Sequence, residues 1–229
     1  MAKITLGPIA GAISGSIGGS TYSRNRYGVY IRRRAVPVQP ETPSQLAARQ
    51  RMGYISSAWK SLTPSQRASW KTWAATNPIF DSLGQPQTLQ GNSAYIMLNN
   101  RLLTAAQPLI SDPPVIPPPD VLESLEINIT PSPLAVNLVF TTSPLDANSL
   151  LWVRGTVTNT STKVFVKNLL KIVKTSDPSQ ASPLNITTEL QSLFGTLCSG
   201  QKIHIRASIL DNRSGMLSVP NVAETIVSL

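Results

Sequence analysis

The chain has one cysteine, Cys198, and one histidine, His204, among its 229 residues. A single thiol excludes an internal disulfide and a cysteine cluster for zinc, and a lone histidine without a flanking cysteine or carboxylate pair gives no basis for a metal centre or a catalytic dyad. Acidic residues are scarce as well: eleven are spread over the whole length, and no two are spaced for paired acid–base chemistry. Aromatics make up 6% of the chain and charged residues 14%. No apolar run approaches the ~20 residues needed to span a bilayer. After Lys3 an apolar stretch ends in Ala10-Gly11-Ala12, but Gly7-Pro8 and Gly11 interrupt it, so no removable leader is expected. These absences lead us to expect no enzyme, no cofactor, no metal and no membrane.

What the chain does have is positive charge, unevenly placed. Residues 1–60 carry nine basic side chains against Glu41 alone, whereas residues 61–120 and 121–229 are nearly balanced, so most of the net +9 sits at the front. The densest part is residues 13–34, where Tyr22, Arg24, Arg26, Tyr27, Tyr30, Arg32, Arg33 and Arg34 interleave with glycines. Seven glycines in the first 53 residues raise the entropic cost of ordering this segment. From Thr21 the pattern alternates, with Tyr22, Arg24, Arg26, Tyr30 and Arg32 on one parity and Val29 and Ile31 on the other. That pattern suits a hairpin turning near Asn25. A two-stranded ribbon alone in water is marginal, so residues 1–41 are expected to be an extended basic arm that becomes ordered against a partner.

Those eight residues are the candidate partner-binding site. Arginine forks on partner carboxylates are the first expectation. Tyrosine stacking on bases with arginines on phosphates, and a merely solvated charge run, are the alternatives. The run Gly11–Thr21 invites comparison with a phosphate-binding loop, but it lacks the lysine of a Walker loop and does not fit G-x-G-x-x-G. A flexible or closely packed backbone segment is the plainer reading. His204 falls on the outward parity between Ile203 and Ile205, as an ordinary strand histidine, and Cys198 is expected as a small apolar filler.

Behind the arm, Pro37 and Pro40 keep residues 35–41 extended. Thr42-Pro43-Ser44-Gln45 then reads as a capping box with proline at the first helical position, and the same signal recurs at Thr63-Pro64-Ser65-Gln66. Ala48, Met52, Ile55, Trp59 and Leu62 give the first helix an apolar face, and Trp70, Trp73 and Ala74 do so for the second. A third helix is expected from Asn92-Ser93, with Tyr95, Leu98 and Leu102 inward and Ile96 and Leu103 beside them. Residues 42–106 therefore read as a three-helix unit whose small core is Trp59, Trp70 and Trp73. Residues 107–120 hold six prolines and read as a stiff spacer.

Past Val121 the period becomes two. Leu125, Ile127 and Ile129 alternate, as do Leu134 to Phe140, Leu151 and Val153 around Trp152, Val164 and Val166 leading into Leu169–Val173, and Ile203 to Ile209. About seven short strands over residues 121–229 predict a two-sheet antiparallel sandwich. The expected class is α+β and multi-domain: basic arm, three-helix unit, then an all-β immunoglobulin-like sandwich.

Two resemblances accompany this reading. Ile203-His-Ile-Arg-Ala-Ser-Ile209, Asn212-Arg-Ser-Gly215 and Ser218-Val-Pro220 resemble the last hairpin of fibronectin type III and immunoglobulin-like modules, although the tyrosine often found near the position of Ile203 is missing. The first 105 residues resemble virion proteins of tailed bacteriophages through Gly11–Arg32, Thr42–Arg49 and Trp59–Trp70. That resemblance implies a virion structural protein made in the host cytoplasm and supplies no enzymatic residues. It leads us to expect capsid, portal or tail subunits as partners, a homo-oligomer within the particle, and capsid cementing or decoration as the role. A head-to-tail or tail-associated ring, nucleic-acid contact through the arm, and a host-surface adhesin are the alternatives.

Overall fold

In a computed structural model, the description covers residues 2–3, 13–25, 28–80 and 85–228. Residues 1–47 and 48–229 form two compact units.

The first unit is a four-stranded antiparallel sheet made of β1 (Ala2–Lys3), β2 (Gly15–Ile17), β3 (Ser20–Asn25) and β4 (Gly28–Arg33), in the order β1-β4-β3-β2. The expected hairpin is there, with Asn25 facing Gly28, but β1 and β2 extend it on both edges. The glycine pair Gly18-Gly19 joins β2 to β3 in a tight turn, and Gly18 sits at φ +58°, where a side chain would be strained. Among the described residues, then, this glycine run turns a hairpin and opens no helix, which removes the phosphate-loop comparison.

Two helices follow, the first of them crossing the boundary between the units at Ala47. Helix α1 spans Pro43–Ser61 and α2 spans Pro64–Thr76. At Thr63 the capping box is complete: its hydroxyl accepts from the Gln66 amide and the Gln66 side chain accepts from the Thr63 amide. Thr42 makes only a long contact, accepting from the Gln45 amide at 3.4 Å. Of the apolar face foreseen for α1, Ile55 and Leu62 are buried, but Met52 is 43% exposed. No described residue in the first half of the helix, 43–54, is buried.

A short hairpin follows, β5 (Ile79–Phe80) with β6 (Pro86–Gln87), and then α3 (Gly91–Thr104). Helix α3 starts slightly before Asn92-Ser93, and its N-cap, Gln90, gives no side-chain bond. Gly91 is needed because a Cβ there would lie 2.9 Å from the Lys71 amide nitrogen, so its absence lets α3 approach the backbone of α2. Tyr95, Leu98 and Leu102 are buried as expected.

Seven further strands make two antiparallel sheets. One is β11-β8-β7, from β7 (Leu125–Pro131), β8 (Leu134–Phe140) and β11 (Leu184–Asn185). The other is β10-β9-β12-β13, from β9 (Ser149–Thr158), β10 (Lys171–Thr175), β12 (Lys202–Asp211) and β13 (Asn221–Ile226). The two sheets share one core, in which Val136, Leu138 and Phe140 meet Leu151, Val153, Ile203 and Ile205. Val164 and Val166 are not in a strand: β10 starts only at Lys171, and Val164 is 77% exposed. A short helix, α4 (Thr187–Phe194), lay outside the strand pattern and adds Leu190 to the core.

Residues 107–120 do not hold the helices away from the sheets. Asn99 donates to and accepts from Ile110, Trp70 donates its indole N–H to the Ser111 carbonyl at 2.8 Å, and Leu109 and Ile110 pack on the helical core. The helices lie directly on the β structure: Ala105 packs with Leu150, Trp152 and Leu210, and Met216 joins the helical core. At Gly215, with φ +70°, a Cβ would stand 2.6 Å from the Leu98 carbonyl oxygen, and Arg101 donates to the Gly215 carbonyl. The loop predicted from Asn212-Arg-Ser-Gly215 is thus the seat of α3. A helical trio too small to be stable alone gains its missing buried area from the sheet.

Candidate functional site

In the arm the pairing register decides which side chains act together. Residues directly opposite share a face, so Tyr22, Arg24, Val29, Ile31 and Arg33 lie on one side and Thr21, Ser23, Tyr30 and Arg32 on the other. The parity read from the sequence is corrected at this point. With Asn25 opposite Gly28, residues that face each other have opposite parity in sequence, so Tyr22 and Tyr30 are on opposite faces. Arg26 and Tyr27 fall outside the described residues.

Tyr22 and Tyr30 are half-buried, while Arg24, Arg32, Arg33 and Arg34 are exposed. None of these four arginines is in an ion pair among the described residues. No described residue from 13 to 54 is buried; Val36 is 82% exposed and Val38 89%. Within α1, Leu46, Met52 and Tyr54 are exposed as well.

The helical trio is brought together as expected, with Tyr95 at its hub. The Tyr95 ring lies 5.2 Å from Trp59 and 5.3 Å from Trp70, and Trp70 lies edge-on to Trp73 at 5.9 Å. Burial, with Tyr54 as a lesser influence, holds the Tyr95 phenol above its ordinary range. Trp70 is fully buried, and Trp59 and Trp73, partly buried, pack against the same core.

Two other expectations change. Cys198 is exposed rather than a filler, because the turn Ser199-Gly200 carries it to the surface, where its amide donates to Gln201. His204 is on the outer face of its sheet, as its parity required, yet it is almost fully buried. Its Nδ1 lies 2.9 Å from Glu224 Oε1, and Lys202 Nζ lies 2.5 Å from the other oxygen. Hydrogen bonds from Lys202 and then His204 hold the Glu224 carboxyl below its usual range. Among the described residues no three His, Cys, Asp or Glu side chains are placed to hold a metal ion, and no helix is long and apolar enough to cross a membrane.

The outer face of the four-stranded sheet also carries a feature the sequence reading missed. Its cross-strand rows run Leu150–Leu210, Trp152–Ser208, Arg154–Arg206, Thr156–His204 and Thr158–Lys202. Helix α3 covers the Leu150 and Trp152 end. Near the His204 end lies a pocket of about 210 Å³ between segment 164–170 and His204, Arg206, Val222 and Glu224. Between these two coverings Arg154 and Arg206 stand opposite each other, and Arg101 reaches in from α3. Burial, followed by the charge of Arg154, pushes the Arg101 guanidinium below its ordinary range; burial and then Arg206 do the same to Arg154. No described carboxylate pairs with any of the three, and Arg206 Nε is buried without a partner. Nothing in a linear reading links position 101 to 154 and 206. The available signal was that Arg154 follows the apolar run Leu150–Val153 and Arg206 follows Ile205 within strands.

No protein-family model and no curated protein matches the chain. Among solved structures, a "Fn3-like protein from Clostridium thermocellum" matches 47% of this chain and 90% of its own length, at 18% identity and a TM-score of 0.29. That likeness is distant. What the coordinates give plainly is an α+β chain built of helices and antiparallel sheets.

Proposed function

We propose that this chain is a structural assembly protein, an accessory component of a tailed-phage particle, which docks on capsid, portal or tail subunits through residues 13–54. The observation that carries the proposal is the missing core of that region: a paired, arginine-bearing sheet and about three turns of helix without one buried described residue. Backbone pairing without burial contributes little net stability. A neighbour that covers Tyr22, Ile31 and Leu46 and offers carboxylates to the arginines would supply what this region lacks. The motif run in the first 105 residues supports the virion assignment.

Capsid cementing or decoration is the favoured position. The carboxy-terminal sheets, three strands facing four with the first two paired in the smaller sheet, support a fibronectin type III or immunoglobulin-like module carried by that anchor. Tyr22 and Tyr30 on opposite faces favour a protein groove over a stacking platform for bases, which would need its aromatics on one side.

The test is incorporation. Particles assembled with Arg24→Glu/Arg32→Glu are expected to lack the protein, while the purified variant unfolds at the same urea midpoint as the parent. Normal incorporation of that variant would sink the proposal, and so would loss of DNA binding as the sole defect.

A further inference from the structure

The Arg101, Arg154 and Arg206 cluster costs the fold stability: Arg101 donates to the Gly215 carbonyl, but no carboxylate among the described residues pairs with any of the three. Like charges directly opposite on neighbouring strands are unfavourable, and a buried guanidinium N–H without an acceptor adds a desolvation penalty. The nearest acid on that face, Glu224, stands one row away and already binds Lys202 and His204. Ile172 faces Arg154 and Val222 faces Arg206, so the ends of the arginine row are apolar and half open, at 40% and 56% exposure. Beside Arg206 the pocket of about 210 Å³ is walled by Phe165, Leu170 and Val222, with Lys167 at its rim.

We propose that Arg101, Arg154 and Arg206 form a binding site for a doubly charged phosphate-type oxyanion, with the adjoining pocket receiving the organic group when the anion is a monoester. Arg154 and Arg206 stand directly opposite each other on neighbouring strands and the charge of Arg154 is felt at Arg101, so two strands and a helix offer guanidinium forks to a tetrahedral dianion that accepts several charge-assisted bonds. The unpaired Arg206 Nε is one donor awaiting its acceptor. Phe165 and Val222 then lie beside the ester carbon. The site is independent of the arm, and its ligand settles on the sheet while residues 13–54 engage the assembly.

Titration of the full chain at fixed ionic strength, with chloride as the balancing anion, tests this through the side-chain Nε–H signals of arginine in NMR. Inorganic phosphate and phenyl phosphate are expected to shift the Arg206 and Arg101 signals saturably. Arg154→Met is expected to weaken binding about tenfold or more and, without ligand, to raise the unfolding midpoint by removing the like-charge contact. Arg206→Met serves as the second variant should the first fold poorly. Tighter binding of phenyl phosphate than of inorganic phosphate assigns the site to an ester on an apolar group, and the reverse order assigns it to the free anion. Shifts confined to the arm arginines, or equal binding by parent and both variants, overturn the proposal.

Discussion

The chain holds two four-stranded antiparallel sheets, and they differ in what covers them. In β10-β9-β12-β13, strand β12 is buried at eight of its ten positions, because the smaller sheet fills one face and α3 covers part of the other. In β1-β4-β3-β2, strands β3 and β4 reach half-burial at best. Strands pair in both sheets, yet only one of the two builds a buried core among the described residues. Pairing is therefore common to both, and burial is what separates a stable body from a segment suited to a partner.

The largest expected effect is in the body. Trp70→Ala removes a fully buried ring and its bond to Ser111, and is expected to cost about 3–5 kcal/mol in urea unfolding. The matched change in the arm, Ile31→Ala, is expected to cost below about 0.5 kcal/mol, as for an ordinary surface site. Next comes a pair of glycines. Gly215→Ala meets both a positive φ and the Leu98 carbonyl oxygen, for about 2–4 kcal/mol of lost stability. Gly18→Ala has the positive φ and open space, and is expected to disturb the β2–β3 turn while leaving the global midpoint unchanged.

Smaller still are the two helix starts. Thr63→Ala breaks a complete capping box and is expected to cost about 1 kcal/mol, measured by thermal unfolding. Thr42→Ala is expected to change little, since its cap contact is long at 3.4 Å and the first turns of α1 are exposed. The smallest effect is acid dependence. Lys202 and His204 hold Glu224 below its ordinary 4.5, so its contribution is complete above that value and disappears as pH falls through the lowered one. Glu224→Gln is expected to flatten the stability profile below about pH 4.5 and leave the arm untouched.

Much of this was legible in the residues. The 4, 3, 4, 3 spacing from Ala48 to Leu62 and the repeated Thr-Pro-Ser-Gln gave α1 and α2, and period two gave β7, β8, β9 and β12. What escaped has physical causes. Helix α4 is only eight residues long, too short for a helical period to stand out beside strands. Segment 164–170 alternates like a strand but is held as a flap beside the sheet rather than within it. The six prolines of 107–120 suggested a rod, because stiffness is a local property, whereas the bonds from Asn99 and Trp70 that pin the segment come from elsewhere. For the candidate sites, the arm's composition was readable but its faces were not, since a turn of unknown length decides whether Tyr22 and Tyr30 share a side. The Arg101, Arg154 and Arg206 cluster is tertiary throughout.

Hydrogen exchange on the purified full-length chain, without any partner, tests the contrast between the two sheets most directly. Amides from Tyr22 to Ile31, Arg26 and Tyr27 aside, are expected to exchange within seconds to minutes at neutral pH, while those from Ile203 to Ile209 stay protected up to the global unfolding free energy. Slow exchange across Tyr22–Ile31 in the free protein, comparable with β12, would show that the arm is stable by itself and contradict a role built on its need for a neighbour.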